Sequence, residues 1–296
     1  MPDTTVEYRS DVITDGLRQL GLKKGDVVLF HSDLRALGPA RDLVRYKDKN
    51  LGADFVIEGF LDAVGSEGLV IAPALSATFA PGEPGPVKLA FNPATTPSRV
   101  GSITEVFRKW PGNRRSAHPT HSLSAIGSRA DEFIKDHDKM STFGREGPYG
   151  RYYDWDGYVC FFGTDMRTCT TLHAVEDWMD LPYMEEAFAL VEQPDGSARK
   201  VKVYKSPCGP RDFYRRNSKI DQYLQAKGFI RKAQIYNATV CLMKARTLCD
   251  LTWQAIVENP TILLNDGPDV DPWSQWACLA TREHVAKNIK GKRLKP

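Results

Sequence analysis

Apolar residues recur at helical spacing from Val12 to Leu20, with Ile13, Leu17 and Leu20 on one face. GLKKGDVVLFHS then supplies a turn, a buried strand and a polar stop. The order returns: Val56, Phe60, Leu61 and Val64 mark a helix face, Gly65 and Gly68 break it, and LVIAPAL reads as a second short strand. Ser76 to Ser98 is rich in Pro, Gly, Ala and Thr and has no period, so it reads as a long loop beyond a strand end, a feature usually kept for function. A short helix is expected over Ser102–Trp110, followed by the irregular run PGNRRSAHPTHS and a helix capped by Ser128. GYVCFFG is the strongest strand signal, and a helix over Thr170–Met179 with Leu172, Val175 and Met179 inward follows it. Two strand-like runs around PDG, about 186–205, read as an antiparallel hairpin. Asp212–Lys227 reads as a helix, FIRKAQIYNATV as strand-like, and CLMKARTLCDLTWQAIVEN as a long amphipathic helix before a ragged tail. The alternation predicts a single α/β domain over residues 1–296, with a mostly parallel central sheet flanked by helices and a small antiparallel insertion.

Composition narrows the class without adding chemistry. Hydrophobic residues at 42% and charged residues at 26% lie near the averages of folded globular chains, which excludes disorder and fibrous repeats. Lys, Arg, Asp and Glu sum to +3, and Lys287, Lys290, Lys292, Arg293 and Lys295 crowd the end of the chain. We read that basic stretch, from about 287 to 296, as a frayed solvated terminus, so no nucleic-acid partner is expected. The polar start MPDTTVEYRSD has no apolar core, and no run approaches the roughly 18 apolar residues of a membrane span; a cytoplasmic protein without a membrane partner is expected. Six cysteines without a CxxC pair read as reduced, mostly buried thiols.

Candidate chemistry follows from polar residues that close apolar runs, because ligands of open α/β sheets lie beyond the carboxyl ends of strands. Three places qualify: His31 and Ser32 after VVLF, the loop carrying His118, His121 and Ser122, and Thr170–Glu176. His173 and Glu176, spaced i, i+3 on one helix face, suit a general base whose carboxylate holds one ring nitrogen and raises the pKa of the ring; a surface pair has the same spacing. Arg114 and Arg115 suit phosphate contacts, and His118 suits a reacting carbonyl, with loop hydrogen bonding as the plain alternative. A zinc site from His118, His121, His173 and Glu176 is the rival, disfavoured because HPTH lacks the helical one-turn spacing of HExxH; no metal is expected. GxGxxG, GxxxxGK[ST] and GxSxG are all absent, which argues against dinucleotide, P-loop and nucleophile-elbow enzymes.

FNPATTPSRVGSITEVFRKW, RSAHPTHS and TTLHAVED together resemble the aminoglycoside 3-N-acetyltransferase family, also called antibiotic N-acetyltransferases. The resemblance rests on Thr96, Pro97, Ser98, Gly101, Glu105 and Arg108, then Arg115, Ser116, His118, Pro119, His121 and Ser122, then Thr171, His173 and Glu176, in that order. It implies transfer of an acetyl group from acetyl-CoA, as co-substrate, to a primary amine of an aminoglycoside or a related biosynthetic amine, on an α/β fold distinct from the GNAT acetyltransferases. It implies His173 as base with Glu176 as its partner; the oxyanion of the tetrahedral intermediate needs a hydroxyl or backbone donor, for which Thr171 is the candidate, and His118 is expected to position the reacting carbonyl. His31, Ser32, Ser98, Arg115 and Ser116 are expected along the coenzyme A channel, and a homodimer is compatible with the resemblance. A polycationic acceptor would need carboxylates, for which Asp154, Asp156, Asp177, Asp180, Glu185 and Glu186 are available. Asp33 in HSDL, Asn92 in FNP and the stretch ARDLVRYKDKNLGADF depart from the family pattern and keep open a member with another acyl donor or acceptor.

Overall fold

The computed structural model describes residues 8–38, 51–83, 89–205 and 211–294; most of the divergent stretch after Pro39, and Cys208, lie outside the described residues. Helix α1 (Ser10–Gln19) buries Ile13 and Leu17, then β1 (Val27–Ser32), α2 (Leu51–Val64) and β2 (Leu69–Pro73) complete the two expected helix-to-strand units. Next come α3 (Ser102–Arg108), β3 (Arg114–Arg115), β4 (Leu123–Gly127), α4 (Ala130–Ile134), α5 (Pro148–Asp154), β5 (Tyr158–Phe162) and α6 (Thr171–Trp178). The hairpin β6 (Glu185–Glu192) and β7 (Ala198–Lys205) is followed by α7 (Lys219–Ala226), β8 (Arg231–Ile235), β9 (Ala238–Lys244), α8 (Ala245–Glu258) and α9 (Pro272–His284).

Seven strands form one sheet in the order β3-β4-β2-β1-β5-β9-β8, and β6 with β7 forms a separate two-stranded antiparallel sheet. The centre is parallel, with Val28 opposite Val70 on one side and Tyr158 on the other, while β4 and β9 run antiparallel at its flanks. Side chains alternate between two packed faces. Val28 and Phe30 join Ile13, Leu17, Phe60 and Phe107 from α1, α2 and α3, whereas Val27 and Leu29 join Leu172, Val175, Leu248 and Ile256 from α6 and α8. Phe30 stacks on Phe60 at 4.6 Å and meets Phe107 edge-on at 5.6 Å. Because both faces are buried, β1, β2 and β5 read as continuous apolar runs.

Several local expectations are corrected. Ser128 does not cap α4; its hydroxyl donates to the Glu67 carbonyl, and Arg129 holds the cap position without a side-chain bond. The strand-like run after Phe229 is a hairpin that turns at Tyr236, φ +51°, and CLMK ends β9 before α8 starts at Ala245. Asp212–Lys227 is not one helix: Asp212–Tyr214 is a 3-10 turn, and α7 begins only after Ser218 accepts from the Asp221 amide. The ragged tail contains α9, started by Asp271, whose carboxylate accepts from Trp273 and Ser274. The segment expected to fray from about 287 includes the end of a π-helical turn, Val285–Ile289, with both terminal residues buried. Among the described residues the five cysteines are free, and no helix is long and apolar enough to cross a membrane.

Candidate active site

Strands β1 and β5 are parallel and adjacent, so their carboxyl ends open on the same edge of the sheet. Each exit is turned by the same device. Asp33 accepts from the Arg35 amide after β1, and Asp165 accepts from the Arg167 amide after β5, each capping a 3-10 turn. Gly163 adopts φ +68° between them, where a Cβ would lie 2.4 Å from Ala36 and 2.9 Å from the Asp33 carbonyl. Only glycine lets the two exits approach this closely. The chain then enters α6, whose first two turns present His173 and Glu176.

The His173 ring is 6% exposed and Glu176 is fully buried. His173 Nδ1 lies 2.7 Å from Glu176 Oε2, and the Tyr183 hydroxyl donates to Oε1 at 2.7 Å. Arg211, also buried, places Nη1 3.3 Å from Glu176 Oε2 and 2.9 Å from His173 Nδ1. A guanidinium only donates, so Nδ1 can either give its proton to the carboxylate at 2.7 Å or accept from Arg211 at 2.9 Å, and the carboxylate contact is the shorter. With the proton on Nδ1 toward the carboxylate, Arg211 bonds Glu176 rather than the ring, and Nε2 keeps a lone pair with the Tyr214 hydroxyl 3.4 Å away. Phe143 and Phe213 flank the ring at centroid distances of 5.2 and 5.3 Å.

Burial dominates the electrostatics. It pushes the His173 pKa below its ordinary value, against the pull of Glu176 and with the help of Arg211. The carboxylate partner was expected to raise this pKa; desolvation outweighs it. Burial also pushes Glu176 up, but Arg211, His173 and Tyr183 bring the net shift down, so it is ionised. The result is a neutral, oriented imidazole beside a compensated charge pair.

The histidine-rich loop lies beside this network. His121 is 4.9 Å from Phe143, on which His173 also packs, and His118 lies 4.6 Å from His137, ring centre to ring centre. His118 Nδ1 accepts from the His121 amide at 3.1 Å, while its Nε2 is buried without a hydrogen-bond partner. His31, stacked 5.5 Å from Phe161, likewise has a buried Nε2 without a partner, and burial takes its pKa to about 3. The Thr171 hydroxyl is buried without a partner at the start of α6, and Ser32 is half-buried at the end of β1. Among the described residues no group of three or more His, Cys, Asp or Glu is placed to hold a metal ion.

Other expected site residues are held by the scaffold. Arg115 donates to the Ala74 carbonyl at 2.7 Å, the Pro93 carbonyl at 3.2 Å, the Thr96 carbonyl and the Ser122 hydroxyl at 3.0 Å, leaving no fork for a phosphate. Ser116 is fully buried between the Leu123 amide and His137 Nδ1, and Arg114 pairs with Asp131 on the surface. Ser98 bonds Glu105 through its amide and Thr104 through its hydroxyl, and Glu105 holds Arg108, which reaches the Ala94 carbonyl. Thus the TPS-to-arginine motif builds a clamp on the long loop. Of the acidic residues suited to a polycation, Asp154 pairs with Arg145, Asp156 with Lys244, Glu186 with Lys202, and Asp177 accepts from Ser141. Arg211, Tyr183 and Tyr214 escaped the sequence reading, since an arginine outside any periodic segment reads as solvated.

Residues 29–256 match the sequence profile of the family described as aminoglycoside 3-N-acetyltransferase. The chain belongs to the aminoglycoside 3-N-acetyltransferase family. Its relatives in this family of acyltransferases include the prophage-derived aminoglycoside N(3')-acetyltransferase-like protein YokD of Bacillus subtilis, 32% identical over 198 residues, 62% of this chain and 69% of the relative. Aminoglycoside N(3)-acetyltransferase IV of Salmonella sp is 26% identical over 261 residues, 88% and 91% of the two chains. Among solved structures, apo aminoglycoside acetyltransferase AAC(3)-IVa superposes with a TM-score of 0.74 at 25% identity, covering 95% of this chain and 99% of the other. AAC-IIIb, solved as a binary complex with CoASH, shares the fold at a TM-score of 0.71 and 23% identity, covering 88% and 99%. The α/β acetyltransferase reading and its distinction from the GNAT fold are therefore correct for this family member.

Proposed function

We propose that this protein transfers the acetyl group of acetyl-CoA to a primary amine of an aminoglycoside or a related small amine, with His173 as the proton acceptor. The observation that carries the reading is the buried His173–Glu176 couple, with Nε2 left as an acceptor. The amine lone pair forms the new C–N bond at the thioester carbon while the carbonyl π pair moves to oxygen. The nitrogen of that intermediate is strongly acidic, so a weakly basic imidazole suffices to take its proton. Collapse re-forms the carbonyl and breaks the C–S bond, and the imidazolium returns the proton to sulfur, giving the acetylated amine and the CoA thiol. No acyl-enzyme is needed.

Thr171 and His118, both buried with unpartnered polar atoms, serve as candidate donors to the developing oxyanion. His31 and Ser32 remain the candidates along the coenzyme A channel, while Ser98, Arg115 and Ser116 brace the loops around it. The test is CoA thiol release with acetyl-CoA across an amine panel that includes aminoglycosides and simple amines. His173→Ala or Glu176→Gln should lower kcat by about two orders of magnitude or more, with acetyl-CoA affinity within about threefold. Wild-type turnover in His173→Ala removes His173 from the chemistry, and a panel that releases no thiol above hydrolysis refutes acetyl transfer.

A further inference from the structure

We propose that Arg211 is a positioning residue that, by pairing with Glu176 beside the ring, keeps His173 uncharged at rest and so sets the pH above which the base works. The inference rests on the reading of His173 as the base. Arg211 comes from outside α6, 38 residues along the chain, and is held in place from the far side: it forms an isolated bridge with Leu264, and the Asp212 amide donates to the Leu263 carbonyl at 3.0 Å. Its guanidinium lies over the rings of Tyr183 and Phe213 at 5.4 and 5.5 Å. The guanidinium lies 2.9 Å from Nδ1 and 3.3 Å from Glu176 Oε2, so a charge added to the ring would sit directly against a fixed cation.

The groups facing His173 come from several elements. Glu176 is on its own helix, Arg211 and Tyr214 approach from the segment before α7, His121 from the loop before β4, and Tyr183 acts through Glu176. Burial and the neighbouring His173 hold His121 neutral, with a pKa of about 3, and Phe143 and Phe213 add no charge. Arg211 is therefore the permanent cation of this set. It cancels the charge of Glu176, so protonating His173 at rest would place a second, uncompensated cation in a dry pocket. Without Arg211, Glu176 would form an ion pair with imidazolium, and Nε2 would carry a proton and no lone pair.

Two measurements test this. In histidine-labelled wild-type protein, with the His173 signal assigned by its loss in His173→Ala, NMR should show His173 titrating below the ordinary histidine range, with Nε2 unprotonated at pH 7. In the pH profile of kcat, Arg211→Met should move the acid limb up by about two units, a loss of about tenfold at pH 6.5 that recovers by pH 9, with KM within about threefold. Arg211→Lys should keep the wild-type limb. A uniform loss of kcat at every pH, a limb in Arg211→Lys displaced as far as in Arg211→Met, or a wild-type His173 that titrates above about pH 7 overturns the proposal. If Arg211→Met does not fold, the wild-type titration decides. Full turnover in His173→Ala would instead sink the base reading itself.

Discussion

Replacing Arg115 by methionine separates two roles that the sequence alone could not. As a coenzyme A ligand, Arg115 would contribute to substrate affinity and little to stability. The structure shows a half-buried guanidinium that ties β3 to the residue after β2, the residue before β4 and the long loop, through the carbonyls of Ala74, Pro93 and Thr96 and the Ser122 hydroxyl. Its ring contact with Phe91 at 4.9 Å ties in the start of the FNP motif as well. Hydrogen bonds from a charged donor are worth roughly 1.5–3 kcal/mol each, but the carbonyls of a half-exposed clamp recover water when the donor leaves. We therefore take about 1 kcal/mol for each of the four and expect a loss of about 3–5 kcal/mol. For a chain of this size that corresponds to a fall in Tm of about 6–15 °C. Differential scanning calorimetry gives the first quantity, and isothermal titration with CoA at 10 °C, well below the transition, gives the second. The expected outcome is a large fall in Tm with CoA affinity within about fivefold of wild type. An unchanged Tm together with a CoA affinity weakened more than about tenfold would refute the clamp and restore Arg115 as a phosphate ligand.

Two further outcomes follow from burial. Desolvation takes the pKa of His31 and His121 to about 3 and of His137 to about 4, and holds His118 well below its ordinary value. The unfolded chain binds these protons from about pH 6.5 downward and the folded one does not, so stability is complete above pH 6.5 and falls as pH drops toward 4. Each such histidine contributes about 1.4 kcal/mol per pH unit in that window, and urea denaturation between pH 7.5 and 5 should show the uptake of at least three protons; fewer than one would contradict the burial. Gly163→Ala should destabilise by about 2–4 kcal/mol, since a Cβ at φ +68° meets both Ala36 and the Asp33 carbonyl. Equilibrium unfolding checks this, and a variant as stable as wild type would show that the two strand exits can separate freely.

The fold was legible where burial leaves one signal. VVLF, LVIAP and YVCFF are short apolar runs bounded by glycine or polar stops, and each is a central strand. LSAIG at β4 was hidden by its half-polar alternation and by Ser128, which resembles a helix cap but bonds a neighbouring turn. Asp271 and Pro272 carried a readable start signal for α9 that the surrounding polarity obscured. In the site, helical spacing was enough to pair His173 with Glu176. The fates of Arg115, Ser116 and Ser98 were not readable, because a motif residue that holds a loop and one that holds a ligand look alike in one dimension. Arg211 required the third dimension altogether, since its partners lie 35 and 38 residues away.

The bracing of Arg211 by Leu263 and Leu264 also orders events during synthesis. These residues lie past position 256, where the match to the family profile ends, and α9 beyond them presents His284, whose Nε2 meets the Met179 carbonyl at 2.8 Å where α6 stops. The charge pair that keeps His173 neutral thus depends on chain made after the entire central sheet. As the protein emerges from the ribosome, the sheet and α6 are complete before Arg211 gains its brace at Leu263 and Leu264.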